Sequence, residues 1–280
     1  MRLVAVYSRK GGVGKTATAV NLATLSARSG VRTLLIDLDP QAAATFTFRV
    51  QPKIDGGYAR LLEERSDPLA AIRESDTPEL DVLPADPSLR LLEQELPEPA
   101  NGAAADGDPL ARLLRRLLES YELIWIDCPP TTSLLADSLF RAVDHLVVPT
   151  IPTTLSLRTL AQLMKHLKGL DPRPQVHPFF CMVDLRKLLH RRVIDWERET
   201  GLGFLETTVP NSSYLEQMSS RRAPVFDFAA SSEAAKAYRA LLDEVARRAV
   251  EQGDPLLWKK KTRRRVEDAV RGITLLPHRR

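Results

Sequence analysis

A chain of 280 residues, 44% hydrophobic and with only two cysteines, is long enough for one large domain with its own core and too poor in cysteine for a disulfide scaffold. No apolar run approaches membrane-spanning length, and Met1-Arg2 leads into an apolar strand rather than a signal peptide, so a cytoplasmic protein is expected. Residues 251–280 hold nine Lys/Arg against four Asp/Glu, a net of +5 on a chain whose total is +4, so the basic character sits in the tail and suggests a polyanion partner.

The first predicted strand covers about 2–7. It runs into Ser8-Arg9-Lys10-Gly11-Gly12-Val13-Gly14-Lys15-Thr16. A buried strand, a glycine-rich loop and a helix start together make a phosphate cradle, because the loop and helix N–H groups converge on an anion. Lys15 can reach β- and γ-phosphates, and the Thr16 hydroxyl can ligate Mg²⁺. The expected contacts run from Lys10 through Gly11, Gly12, Val13, Gly14, Lys15 and Thr16 to Ala17. The usual spacing begins with glycine where this chain has Arg9, and it lacks the second lysine, Lys10. Two lysines exceed what one triphosphate needs, so Lys10 is expected to reach a second nucleotide across a dimer interface. The helix that follows has Asn21, Leu22, Ala23 and Leu25 on its apolar stripe and closes at Gly30.

A second strand over about 32–37 ends in Asp37-Leu38-Asp39-Pro40-Gln41. Residues 51–110 are rich in proline and polar residues and yield only a short strand at Leu80–Leu83 and a helix near Leu89–Leu96. Residues 97–109 read as a loop. A helix over about 110–120 leads to a strand, Leu123-Ile124-Trp125-Ile126, which ends in Asp127-Cys128-Pro129-Pro130. His145–Val148 is a strand. A helix over 155–168 turns Leu157, Leu160, Met164 and Leu167 inward and Arg158, Lys165 and Lys168 outward. A strand over 176–183 and a helix over 187–200 follow. Ser232 caps a last core helix through Ala249, with Leu241, Leu242 and Val245 on its buried side. Strands alternating with helices imply an α/β fold with a mostly parallel twisted sheet, whose ligands bind at the carboxyl ends of the strands. The expected organisation is a single domain over 1–250 and a basic tail over 251–280. Cys128 and Cys181 are expected to be buried free thiols.

The three strand-end motifs resemble those of the ParA/MinD family of P-loop ATPases: a deviant Walker A of the form KGG-x-GK-[ST], then D-x-D-P-Q, then a Walker B. Val147-Val148-Pro149-Thr150, Met182-Val183-Asp184 and Val209-Pro210-Asn211 resemble later family segments more loosely. The resemblance implies a P-loop fold, ATP and Mg²⁺ as cofactors, an ATP-dependent homodimer and weak, partner-stimulated ATP hydrolysis. It makes Lys10, Lys15 and Asp39 catalytic, with Asp39 the hydrolytic residue and Lys10 crossing to the partner's phosphates. Thr16, Asp37 and Asp127 hold the metal and its water shell, which suits an ion that dehydrates reluctantly. The base is implied to lie near Met182 and Pro210. Many relatives have a polar residue, often Asn, where this chain has Cys181.

Basic pairs recur after residue 160. Lys165/Lys168, Arg191/Arg192 and Arg221/Arg222 are the candidate DNA contacts, since nonspecific binding needs only phosphate contacts from Lys and Arg. Members of the partition branch bind DNA through this half of the chain. They often carry an arginine where this chain has Tyr214. The implied function is ATP-driven positioning of a cargo on the nucleoid, whether plasmid, chromosome locus, or a protein assembly such as a carboxysome or chemoreceptor cluster. A ParB-like or adaptor protein would trigger hydrolysis. The alternative is a membrane-surface ATPase like the division-site branch. Residues 259–265 contain no apolar member and break the stripe an interfacial helix needs, so a membrane partner is not expected. No tyrosine follows Tyr238, which argues against a tyrosine autokinase.

Overall fold

A computed structural model describes residues 2–95, 108–131 and 134–251. Most of the expected loop over 97–109, and the tail from residue 252 onward, lie outside the described residues.

The chain order is β1 (Leu3–Val6), α1 (Lys15–Arg28), β2 (Thr33–Asp37), α2 (Ala43–Thr47), α3 (Gly57–Leu62), α4 (Pro68–Ala71), β3 (Arg73–Glu74), β4 (Leu80–Leu83), α5 (Leu89–Glu95), α6 (Pro109–Leu117), β5 (Leu123–Asp127), α7 (Leu134–Ala142), β6 (His145–Thr150), α8 (Thr154–Leu167), β7 (Gln175–Phe180), α9 (Leu188–Thr200), α10 (Ser213–Arg221) and α11 (Glu233–Glu251). The strands form one sheet in the order β3-β4-β2-β5-β1-β6-β7. Only β3 runs antiparallel.

The central strands are apolar on both sides because both faces are covered. Leu3, Ala5, Leu34, Ile36, Ile124 and Ile126 enter one core, while Val4, Val6, Leu35, Leu123 and Trp125 enter the other. Successive side chains of a strand point to opposite faces, so each central strand feeds both layers. Each fully buried aliphatic side chain contributes about 1.5–3 kcal/mol, and this repeated gain is what fixes the register. Helix α1 packs on the second core beside Ala235, Tyr238, Leu241 and Val245 of α11. Ser232 Oγ accepts from Ala235 N–H at 3.2 Å, the cap expected there.

The structure departs from the sequence reading in three places. Strand β7 stops at Phe180 rather than 183, because Met182 turns into the left-handed region at φ +55° and breaks the extended run, while the chain from Leu205 to Asn211 runs alongside through Leu205 N–H to Pro178 O, Val209 N–H to Phe180 O and Asn211 N–H to Val183 O. On α8 the inward row includes Leu163, with Met164 only half-buried. Helices α2, α3, α4, α7 and α10 and strand β3 are additions. Cys128 and Cys181 are buried free thiols.

At the amino ends of β6 and β7, His145 Nδ1 lies 2.9 Å from His177 Nε2. Both rings are buried. Burial pulls His145 down to about 4 and His177 down to about 3. The unfolded chain protonates both near 6.5. Folding stability from this pair is therefore complete above about pH 6.5 and falls as pH drops from there toward 4. The double variant His145→Leu/His177→Leu is expected to flatten that acid limb in thermal melts. An unchanged limb would remove the pair as its cause.

Candidate active site at the phosphate loop

The sheet order places β2, β5 and β1 side by side. In register, Asp37 pairs with Asp127, and Asp127 with Val6, the last residue of β1. The three strand ends that carry the motifs thus meet at one edge. Parallel strands with crossover helices make this edge the natural ligand crevice.

The phosphate loop leaves β1 and enters α1 at Lys15. Gly12 (φ +68°) and Gly14 (φ +92°) sit in the left-handed region that favours glycine. A β-carbon at Gly14 would come within 3.0 Å of Cys181 Sγ, so the loop and Cys181 pack as closely as glycine allows. Lys15 is buried at 7% exposure. Lys10 is half-buried, and its ammonium donates to Ser156 Oγ at 3.2 Å at the start of α8. Among the described residues Lys10 has no ion-pair partner.

The two strand-end carboxylates differ. Asp127 is wholly buried, and neither of its oxygens makes a well-formed hydrogen bond, although the Thr16 hydroxyl is close enough to pull its carboxyl down. Burial, and then the nearby Asp37 charge, push its carboxyl far above the usual range, against the pull of Thr16 and Lys15. Two buried, under-satisfied acceptors beside a threonine and a lysine are what a hydrated divalent cation satisfies, so the donor set fits Mg²⁺. Asp37, equally buried, is already engaged. Its Oδ1 accepts from Asp39 N–H at 3.1 Å, and its Oδ2 accepts from Thr45 N–H at 2.8 Å and from the Thr45 hydroxyl at 2.7 Å. Burial raises its carboxyl to about 6 despite those donors.

Asp39 is half-buried, two residues beyond the strand. Its Oδ1 accepts from Gln41 N–H at 2.9 Å, and its Oδ2 has no partner among the described residues. An oxygen left open beside a phosphate cradle suits an attacking water.

Met182 precedes Val183, which bridges Pro210, and it follows Cys181, the residue that packs against Gly14. Met182 has φ +55°, a conformation that few L-residues other than asparagine and aspartate adopt. The fold thus places Met182 beside the residue that packs on Gly14, and Pro210 on the segment paired with Val183. The basic candidates are dispersed. Crossover helices run against the strands, so Arg191 and Arg192, near the start of α9, lie at the edge that carries the phosphate loop. Lys165 and Lys168, at the end of α8, lie at the opposite edge. All four are exposed. Arg221 stacks on Phe228 and bonds Gln217, and Arg222 stacks on Phe46 and donates to its carbonyl. Sequence reasoning missed Ser156 and Thr45, whose roles depend on contacts across 146 and 8 residues of chain.

Residues 1–176 match the protein family described as AAA domain. The chain is 34% identical over 259 residues to the chromosome-partitioning ATPase Soj of Thermus thermophilus, covering 90% of this chain and 98% of that one. It is 32% identical over 257 residues to the chromosome partitioning protein ParA of Caulobacter vibrioides, covering 89% and 95%. The structure of cobyrinic acid a,c-diamide synthase from Mycobacterium smegmatis with bound ADP and magnesium superposes with a TM-score of 0.71 at 25% identity, covering 91% of this chain and 97% of that one. With the deviant phosphate loop and both acidic strand ends in place, the chain belongs to the ParA/MinD family of P-loop ATPases, on its partition branch.

Proposed function

We propose that this chain binds ATP with Mg²⁺, dimerises on it, binds DNA without sequence preference and positions an intracellular cargo, with a partner protein stimulating slow hydrolysis. The observation that carries the reading is Lys10, a cation in the phosphate loop whose one protein partner among the described residues is the neutral Ser156. Exchanging that bond for a second subunit's phosphates is a gain in charge pairing. Further support comes from four exposed leucines near the same edge. Leu155, Leu185, Leu188 and Leu189 are 41–62% exposed, in the segments after β6 and β7, where a second copy would cover them.

In this reading Lys15 neutralises β/γ charge, the loop from Lys10 to Ala17 cradles the phosphates, Thr16 and Asp127 hold the cation, Met182 and Pro210 frame the base, and Asp39 orients the water. Bound Mg²⁺ supplies charge neutralisation at the phosphates. The match to partition proteins supports localisation on the nucleoid and a ParB-like or adaptor partner. No helix among the described residues is long and apolar enough to cross a membrane.

DNA binding is tested by gel shift over a salt series with ATP. Each phosphate neutralised contributes about −0.9 to the log–log slope. The dispersion of the basic pairs predicts unequal effects. Arg191→Ala/Arg192→Ala lowers the slope by nearly two, whereas Arg221→Ala/Arg222→Ala, whose guanidinium groups are already stacked, lowers it less. Deleting residues 254–280 reports the tail separately. A slope insensitive to all three changes would contradict this assignment.

A further inference from the structure

Asp37 and Asp127 have the same chemistry, neighbouring strand positions and equal burial, yet only Asp127 is open. Asp37 is held by the loop that follows it. The Thr45 hydroxyl accepts from Ala85 N–H at 2.9 Å. An amide N–H cannot accept, so the hydroxyl's single hydrogen is directed to Asp37 Oδ2. Thr45 N–H reaches the same oxygen, and the other oxygen takes Asp39 N–H. From below, the buried Tyr58 hydroxyl lies 3.2 Å from Asp37 O and 3.1 Å from Pro84 O. The segment 38–45 is thus fastened at both ends to one carboxylate. That carboxylate is fastened through Thr45 to the end of β4, and Asp39 lies on the closed loop.

We propose that Thr45 is a positioning residue for ATP hydrolysis: through Asp37 it fixes the place of the Asp39 carboxylate, and Asp37 serves as the anchor of the loop rather than as a holder of the cation's water shell. The inference rests on the ATPase reading above. Asp37 keeps its protein donors when nucleotide and cation bind, and Asp127 with Thr16 takes the cation. Misplacing a catalytic group by about 1 Å costs on the order of 100-fold in rate, so loosening this loop acts on turnover rather than on affinity.

Thr45→Val keeps shape and removes the hydroxyl. Thr45→Ala does the same with a stronger helix former inside α2, and Thr45→Ser restores the donor. Three readouts are taken on the full chain: affinity for a fluorescent ATP analogue, kcat and KM for ATP, and amide hydrogen exchange over 38–46 in the absence of nucleotide. The Val and Ala variants are expected to keep affinity and KM within about threefold and to lose about 10- to 100-fold in kcat. Their faster exchange is confined to 38–46, and the Ser variant returns kcat and exchange toward wild type. A kcat within twofold of wild type in both the Val and Ala variants would overturn the proposal. So would faster exchange spread over β2, β4 and β5, which would mark Thr45 as a fold residue. If the wild-type chain showed no ATP turnover, the ATPase reading would fail on its own, and exchange at the Asp39 amide would still decide whether Thr45 holds the loop.

Discussion

Lys15→Ala is expected to weaken ATP binding by about 30-fold or more, whereas Lys10→Ala leaves affinity nearly unchanged and removes ATP-dependent dimerisation and hydrolysis. The two lysines differ in setting. Lys15 opens α1 and is buried, so its charge meets phosphate with little water between. Truncating one partner of a desolvated charge pair costs about 2–5 kcal/mol, a factor of about 30 to several thousand. Lys10 is tethered to Ser156 by a single bond to a neutral oxygen, and losing it leaves the cradle of its own subunit intact. Isothermal titration separates the affinities, and sedimentation velocity with ATP and Mg²⁺ reads dimerisation. A Lys10→Ala protein that dimerised normally would refute the crossing role.

Asp127→Asn is expected to make the protein without nucleotide more stable at neutral pH and to remove Mg²⁺-dependent turnover. Both Asp127 oxygens are buried without a well-formed hydrogen bond, and an ionised group in that state costs about 1–3 kcal/mol or more. Asparagine removes the charge at nearly constant volume. Because the folded carboxyl is raised above its unfolded value, its penalty grows as pH rises through the carboxylate range, and protonation relieves it. The wild-type and Asn melting curves therefore converge on acidification and separate by a few degrees at pH 7 and above. Bound Mg²⁺ with nucleotide should stabilise wild type and leave the variant much less affected. Equal melting temperatures across the pH range would mean that the site is already neutral or that another donor reaches Asp127.

The sequence carried the motifs and their order because each sits at the end of a doubly buried strand. Runs such as Leu34-Leu35-Ile36 and Leu123-Ile124-Trp125-Ile126 are apolar throughout and stop at an acid, and a parallel sheet requires both features. Helices α8, α9 and α11 were legible from their 3.6-residue spacing. Helices α2, α3 and α4, of four to six residues, span too few turns for periodicity to register. The different fates of Asp37 and Asp127 were not legible. Both end strands alike, and what separates them is a threonine eight residues on, oriented by an amide 40 residues further away. The scattering of the basic pairs was hidden for a similar reason: which edge a lysine reaches depends on the direction of its helix across the sheet.

The central claim, an ATP-switched dimer that binds DNA, is tested most directly by co-sedimentation of the full chain with either linear DNA or anionic vesicles, in ATP, ADP or no nucleotide, at low salt. The account predicts that the protein pellets with DNA in ATP alone, stays in the supernatant with vesicles, and loses the DNA pellet when Lys10 is replaced by alanine. Pelleting with vesicles in ATP, with DNA ignored at the same salt, would contradict it and place the chain with the membrane-surface ATPases of its family.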